Sequence, residues 1–364
     1  MNRICIAHGG DISTPSGGTD RISAFAGGLQ DRGYSVTLVV PELDSEPQHD
    51  LGQVDIREVS LPDPIENSVS NALAIARRAR NVASERDATL QYEHSIMAGL
   101  GTLVGASSYV LDMHDLAYSR YDHVDSPAAP VMQRGVAWLE RRAVQRADKI
   151  IAVSEYMADE LRSKWGISSA KISVVPNGFF PEKLEPFADI EIVEGRVCFL
   201  GTLHPKVDVD AIEAVCQLPT VTETVVIGDG AQRDRLEKLG DEYEALEVTG
   251  RLPDEEAFEL LASAAVAINP QHRSALQQSS SPVKLYYYAA LGKPMVVTEG
   301  PPLVTELADA GAAIATKSRD EFTESVETVL SDPKLAVNLR RNAHEQAKSF
   351  EWDTRVESLV SIHE

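Results

Sequence analysis

The chain has 364 residues, enough for about two domains, and carries 34 basic against 56 acidic side chains, a net charge of −22. That balance argues against a general nucleic-acid binder, which needs cations to neutralise phosphate. A hydrophobic content of 43% argues against disorder, and no apolar run approaches the ~20 residues that span a bilayer.

Lysine supplies only 11 of the 34 basic residues. Many carboxylates with little lysine suit concentrated salt, where repulsion is screened, so a halophilic source is expected. Cys5, Cys198 and Cys216 make no paired framework and read as reduced core residues. The N-terminus reads as a strand running into a glycine loop and not as a leader, so a cytoplasmic protein is expected.

Strand-like runs alternate with helical patterns from end to end. A strand over 3–8 is followed by an amphipathic helix over 19–32, with Ile22, Phe25, Ala26 and Leu29 on one face and Gly33 closing it. Strands follow at 35–40, 54–59, 88–92 and 109–112, with helices near 67–86 and 95–105. A long helix near 128–147, a strand at 149–153, a helix over 154–165 and a strand at 171–175 complete the first half. Such alternation predicts βαβ units and a parallel sheet. The stretch 177–194 holds a turn dipeptide, prolines and acids, and reads as a linker. The pattern then restarts with strands at 196–200, 224–227, 246–248, 266–269, 294–298 and 312–315, and helices over 333–349 and 352–363. The fold class is α/β: a doubly wound N-terminal domain (1–176), the linker, a second such domain (195–349) and a terminal helix (350–364). Ligands of such sheets bind at the carboxyl ends of the strands, and the cleft between two such domains is the expected site.

Several strand exits carry chemistry. Gly17 and Gly18 precede the first helix, where backbone can approach an anion, although the spacing is not G-x-G-x-x-G and no Walker lysine follows. His114 stands between Asp112 and Asp115 just past a strand. Thr202 and Lys206 lie on the loop after the first C-terminal strand. Ser281 reads as an N-cap and Pro282 as the first helical residue, with Lys284 in the first turn. Two lysines near helix starts, in so lysine-poor a chain, suggest an anionic ligand such as a diphosphate. Asp208 and Asp210 read as helix-capping acids and not as a metal pair, and no His/Cys run has zinc spacing, so no metal is expected. The arginines at 134, 141, 142 and 146 form either a membrane-facing or acceptor-facing basic surface, or the solvated side of a helix whose core face is Met132, Val136, Leu139 and Ala143.

Taken together, Gly17-Gly18, the run from Leu139-Glu140-Arg141-Arg142 through Ser154-Glu155, Val174–Gly178, Gly228-Asp229-Gly230 and above all Ser281–Val297 resemble the family 4 glycosyltransferases. That resemblance spans nearly the whole chain. It implies the GT-B architecture, two Rossmann-like domains facing a central cleft. It also implies transfer of a sugar from a nucleotide-sugar to a glycan or lipid-linked acceptor, with retention of anomeric configuration and no cofactor beyond the donor. By the same resemblance His114 lies near the donor sugar, and Lys206 and Lys284 neutralise the diphosphate. Gly17, Gly18, Thr202, Gly228, Ser281 and Glu306 contact the nucleotide-sugar. The terminal helix from Phe350-Glu351-Trp352 returns to the first domain.

Two departures stand out. The family's paired glutamates, eight residues apart, are here Ser279 and Tyr287, and the second normally grips the nucleotide ribose. Glu306 is the replacement expected for that clamp. The losses also keep open a non-catalytic GT-B-like regulatory or scaffold subunit. An oxidoreductase is disfavoured by the absent dinucleotide fingerprint.

Overall fold

The structure is a computed structural model that describes residues 2–63, 68–123 and 128–363. The chain divides into two compact units. One comprises Met1–Gly178, Ser279–Ser281 and Trp352–Glu364; the other comprises Phe179–Gln278 and Pro282–Glu351.

The first unit runs β1 (Arg3–Ala7), α1 (Gly17–Asp31), β2 (Ser35–Pro41), β3 (Asp55–Val59), α2 (Val69–Arg86), β4 (Thr89–Glu93), α3 (Ser95–Leu103), β5 (Val110–Met113), α4 (Ala129–Arg146), β6 (Lys149–Ala152), α5 (Glu155–Trp165) and β7 (Ile172–Val174). Its sheet is parallel throughout, in the order β3-β2-β1-β4-β5-β6-β7. The strand order reverses between β1 and β4, and that switch point is where such sheets hold ligands. Cys5, Tyr92, Leu111 and Ile150 sit in a core sealed by α2, α3, α4 and α5. Continuous burial along β1 and β5 is what a parallel sheet covered on both faces requires.

The second unit runs β8 (Val193–Leu200), α6 (Val209–Cys216), β9 (Glu223–Ile227), α7 (Arg233–Glu242), β10 (Leu246–Gly250), α8 (Asp254–Ser263), β11 (Ala264–Asn269), α9 (Ala275–Ser279), α10 (Val283–Ala290), β12 (Met295–Thr298), α11 (Pro302–Asp309), β13 (Ala313–Thr316), α12 (Arg319–Ser331) and α13 (Pro333–Ala347). Its parallel sheet has the order β10-β9-β8-β11-β12-β13. Alternate β8 residues feed opposite cores, Cys198 on one face and Val197 and Phe199 on the other. Phe179 and Leu184, within the expected linker, are buried in the first of these cores, and Phe179 N–H donates to Phe350 O at 3.2 Å. The last helix, α14 (Trp352–His363), belongs to the first unit. There Trp352 meets Phe25 edge-on, with 6.0 Å between ring centroids, and Lys149 Nζ donates to Ile362 O at 2.6 Å.

Three expectations change. Helix α1 starts at Gly17, two residues earlier than predicted, because Ser16 takes the N-cap and its Oγ accepts from Thr19 N at 3.0 Å. Helix α10 starts after Pro282, which is itself the N-cap, so Ser281 is not. Met132 is exposed, as are its neighbours Val131 and Trp138; α4 therefore buries Ala143 and Val144 but not the full predicted face. The predicted start of the second helix at 67 lies outside the described residues. All three cysteines are buried thiols.

Candidate functional site

At the switch point of the first sheet, the chain places its polar side chains where strands end. Residues on β1, β4 and β5 alternate faces until the last, and beyond it the backbone turns out of the sheet, carrying His8, His94 and His114 to one edge. Arg21 enters from α1. It occupies the apolar face, four residues before Phe25, and its guanidinium lies 4.5 Å from that ring's centroid. Fully buried, Arg21 forks onto Asp112: Nε–Oδ2 is 2.9 Å and Nη2–Oδ1 is 2.7 Å. Its remaining nitrogen donates to Val175 O at 2.9 Å and Asn177 Oδ1 at 3.1 Å. Burial pushes the Asp112 carboxyl up, but the Arg21 charge and His114 outweigh it and hold it well below the usual carboxylate range.

Asp112 Oδ2 also meets His114 Nε2 at 3.0 Å. The other ring nitrogen, Nδ1, is 3.1 Å from Glu93 Oε1, yet off the hydrogen-bonding line, and that fully buried oxygen has no hydrogen-bond partner. Glu93 Oε2 is held by His8 Nδ1. His94 lies tilted against His114, with 4.7 Å between ring centroids and 57° between their planes, from a left-handed backbone at φ 71° fastened by His94 N–H to Asp112 O at 2.9 Å. Such a conformation is strained for a side-chain-bearing residue. Burial pushes both His8 and His94 down to about 3, and the neighbouring imidazoles add to the effect. Gly18, in the first turn of α1, faces this cluster: a Cβ there would lie 3.8 Å from Glu93 Oε1 and from His8. Gly17 is the first residue of the same helix.

Of these residues, the sequence singled out Asp112, His114, Gly17 and Gly18. It missed Arg21, Glu93, His94 and His8 as partners. The available signal for Arg21 was a charge on the apolar stripe of α1; none marked Glu93, which reads as an ordinary strand residue.

Glu140 is a second buried carboxylate of this unit. Its oxygens accept from Ser95 Oγ at 2.8 Å and from the backbone N–H groups of Ala117 (2.9 Å) and Tyr118 (3.3 Å), tying α4 to the turn after β5. Burial outweighs these bonds and pushes it up to about 7. A carboxyl raised in the folded state stabilises fully below its unfolded value near 4.5 and loses that contribution as pH rises through 7. The expected result is a loss of roughly 1–2 kcal/mol of unfolding free energy between pH 6 and pH 8.5. Urea titrations at the two pH values would check it against Glu140→Gln, in which this component of the slope should vanish.

In the second unit, β8 ends in Leu200 and the chain leaves through Gly201. At φ 126° Gly201 adopts a conformation that side chains rarely reach, and a Cβ would sit 3.0 Å from Lys284 Nζ. Gly228, after β9, presses so closely on the Gly201 carbonyl that a Cβ would lie 2.1 Å from its oxygen. The two glycines let the strand exits crowd together over Lys284. That ammonium, in the first turn of α10, sits 3.8 Å from the centroid of Phe199. Burial drives its pKa well below the ordinary lysine value, and the charge of Lys206 pushes the same way. Lys284 is half-buried. Among the described residues no carboxylate pairs with it. The Lys206 loop is pinned by His272 N–H donating to Lys206 O at 2.7 Å. Thr202 is exposed on it.

Other predicted contacts are dispersed. Ser281 is buried in the first unit, its Oγ accepting from Asn177 N at 3.2 Å and its carbonyl from Asn177 Nδ2 at 2.9 Å. Glu306 is exposed on α11. Ser279 is buried and its carbonyl accepts from Ser154 Oγ at 2.8 Å, while Tyr287 packs edge-on against Phe258, 5.1 Å between centroids. Asp208 caps α6 through Ala211 N, Asp210 lies in its first turn without capping it, and both carboxylates hold Arg319, at 3.0 and 2.9 Å.

Residues 15–183 match the model of Glycosyltransferase Family 4, and residues 191–346 match that of Glycosyl transferases group 1. A glycogen synthase of Mycobacterium tuberculosis is 27% identical over 245 residues, 64% of this chain and 58% of that protein. The chain spans about half to three-fifths of the length of the first curated relatives it matches. Among solved structures, sucrose-phosphate synthase from Thermosynechococcus elongatus superposes with a TM-score of 0.80 at 16% identity, over 100% of this chain and 98% of that one. Anabaena HepE in complex with UDP-glucose gives 0.71 at 15% identity, over 99% and 98%. These likenesses carry the fold, two parallel-sheet Rossmann-like units of the GT-B kind. Each model matches a little under half of the chain, and together they support a family 4-type glycosyltransferase.

Proposed function

We propose that this protein transfers a sugar from a nucleotide-sugar donor to a glycan or lipid-linked acceptor, with retention at the anomeric carbon and without a metal cofactor. The observation that carries the reading is Lys284: a half-buried ammonium, lowered by burial and by Lys206, with no carboxylate against it among the described residues. An ammonium so placed has no carboxylate of its own, and a diphosphate supplies the counter-charge. As the glycosidic bond breaks, charge grows on that diphosphate, where preorganised cations stabilise it most. In this reading Lys206 and Lys284 do the work assigned elsewhere to a metal, and the departing phosphate can serve as base.

His114, clamped between Asp112 and Glu93, stands beside the donor sugar. Gly17, Gly18, Thr202, Gly228 and Ser281 contact the nucleotide-sugar, and Glu306 holds the ribose in place of the missing glutamate. No helix among the described residues is long and apolar enough to cross a membrane. Helix α4 nevertheless exposes Val131, Met132 and Trp138 beside Arg134, Arg141 and Arg146. None of these arginines has an ion pair among the described residues. Such a face suits peripheral attachment to the inner surface of a membrane, within a cytoplasmic setting. The acidic, lysine-poor surface fits a halophilic origin.

Purified protein should be offered UDP-, GDP- and ADP-sugars with excess EDTA. Turnover of one donor is expected to persist, with retained anomeric configuration by NMR. Loss on chelation, restored by Mn²⁺, would overturn metal independence. The second reading, a non-catalytic subunit, is favoured by Ser279 and Tyr287, neither of which offers a carboxylate. It becomes the better one if no nucleotide binds at millimolar concentration.

A further inference from the structure

We infer that Glu93, His94 and His114 form a binding site for a divalent transition-metal ion, of which zinc is the best match. Their ligand atoms lie within 4.8 Å of one another. In a tetrahedral zinc site, with bonds near 2.0–2.1 Å, ligand atoms stand about 3.3 Å apart. Glu93 Oε1 and His114 Nδ1 are already at 3.1 Å, so a shift of at most about 1.5 Å by the His94 ring closes the set.

The outer groups are arranged as metal ligands require. His114 directs Nε2 to Asp112 at 3.0 Å, which leaves Nδ1 turned toward Glu93. Asp112 is locked by the Arg21 fork. Glu93 is locked through Oε2 by His8, leaving Oε1 fully buried and without a hydrogen-bond partner. A carboxylate behind a ligating imidazole fixes its tautomer and direction. An orphaned carboxylate oxygen in a buried setting calls for a cation. Two imidazoles and one carboxylate select zinc over magnesium or calcium, which take oxygen ligands, and leave a fourth position open.

A filled site would occupy His114. Where the reading above puts His114 beside the donor sugar, zinc then inhibits transfer while chelation does not. That consequence rests on the proposed function; the binding does not.

The test is a Zn²⁺ titration by calorimetry on untagged, chelator-stripped full-length protein, with visible absorption of the Co²⁺ form as a second readout. One equivalent at micromolar affinity or tighter is expected, with Co²⁺ bands of four-coordinate intensity. His94→Ala and Glu93→Gln should each weaken it by roughly 100-fold or more, with unchanged circular dichroism. Glu93→Gln keeps the buried shape, so it serves if His94→Ala fails to fold. Absence of a tight equivalent in the wild type, or equal affinity in a folded variant, overturns the site. Tight zinc binding without inhibition leaves the site standing and removes His114 from the donor sugar.

Discussion

Lys284→Ala and Lys206→Ala are each expected to lower turnover by about 10²–10³-fold, the scale for losing one preorganised contact to charge that develops in the transition state. The reason lies in the packing around Lys284. Phe199 and the Gly201 exit strip water from the ammonium, so its field at a bound diphosphate is less screened than that of a surface lysine. The same burial means that Lys284→Ala opens space beneath Gly201. Lys284→Met fills it and keeps the fold while removing the charge. Steady-state kinetics at saturating donor would check the effect. A fall in kcat with both Lys284 variants is expected; near-normal kcat in Lys284→Met and Lys206→Ala would remove the pair from the diphosphate.

Arg21→Met is expected to cost about 3–5 kcal/mol of stability, because it takes the guanidinium from a fully buried carboxylate and leaves Asp112 with His114 alone. Arg21 is 0% exposed and Asp112 likewise, so water cannot replace the guanidinium. The loss would lower the melting temperature of this unit by roughly 10 °C. Replacing both, as Arg21→Met with Asp112→Leu, should recover most of it, since a buried pair exchanged for apolar side chains is often neutral. Urea unfolding of the three variants would decide. A single-variant loss below about 1 kcal/mol would show that the fork contributes little to folding.

The two sites were legible to different degrees. On β5, the run Val110–Met113 ahead of His114 announces a strand exit with a histidine on it, and the structure puts His114 there. Lys206 and Lys284 stood out because lysine is rare in the chain, and the structure brings their charges within mutual influence. Met132 was misplaced because a helical wheel assigns a face but not how wide a neighbour covers it; α3 meets α4 around Leu139, Glu140 and Arg142 and leaves Val131 and Met132 exposed. Gly17 was read as loop because glycine is a poor helix former, and the Ser16 cap overrode that propensity.

By itself the sequence determined the alternation of buried strands and amphipathic helices, and with it two parallel sheets with their loops at the strand ends. Those features depend on local periodicity and turn chemistry, which neighbouring residues encode. Only the tertiary structure decided which strand ends meet. Glu93, on β4, joins His8 from β1 and His114 from β5 because the sheet order sets β4 between those strands. Arg21 reaches Asp112 across 91 positions of chain. Strand order is a property of global packing, so no spacing along the chain could reveal that cluster.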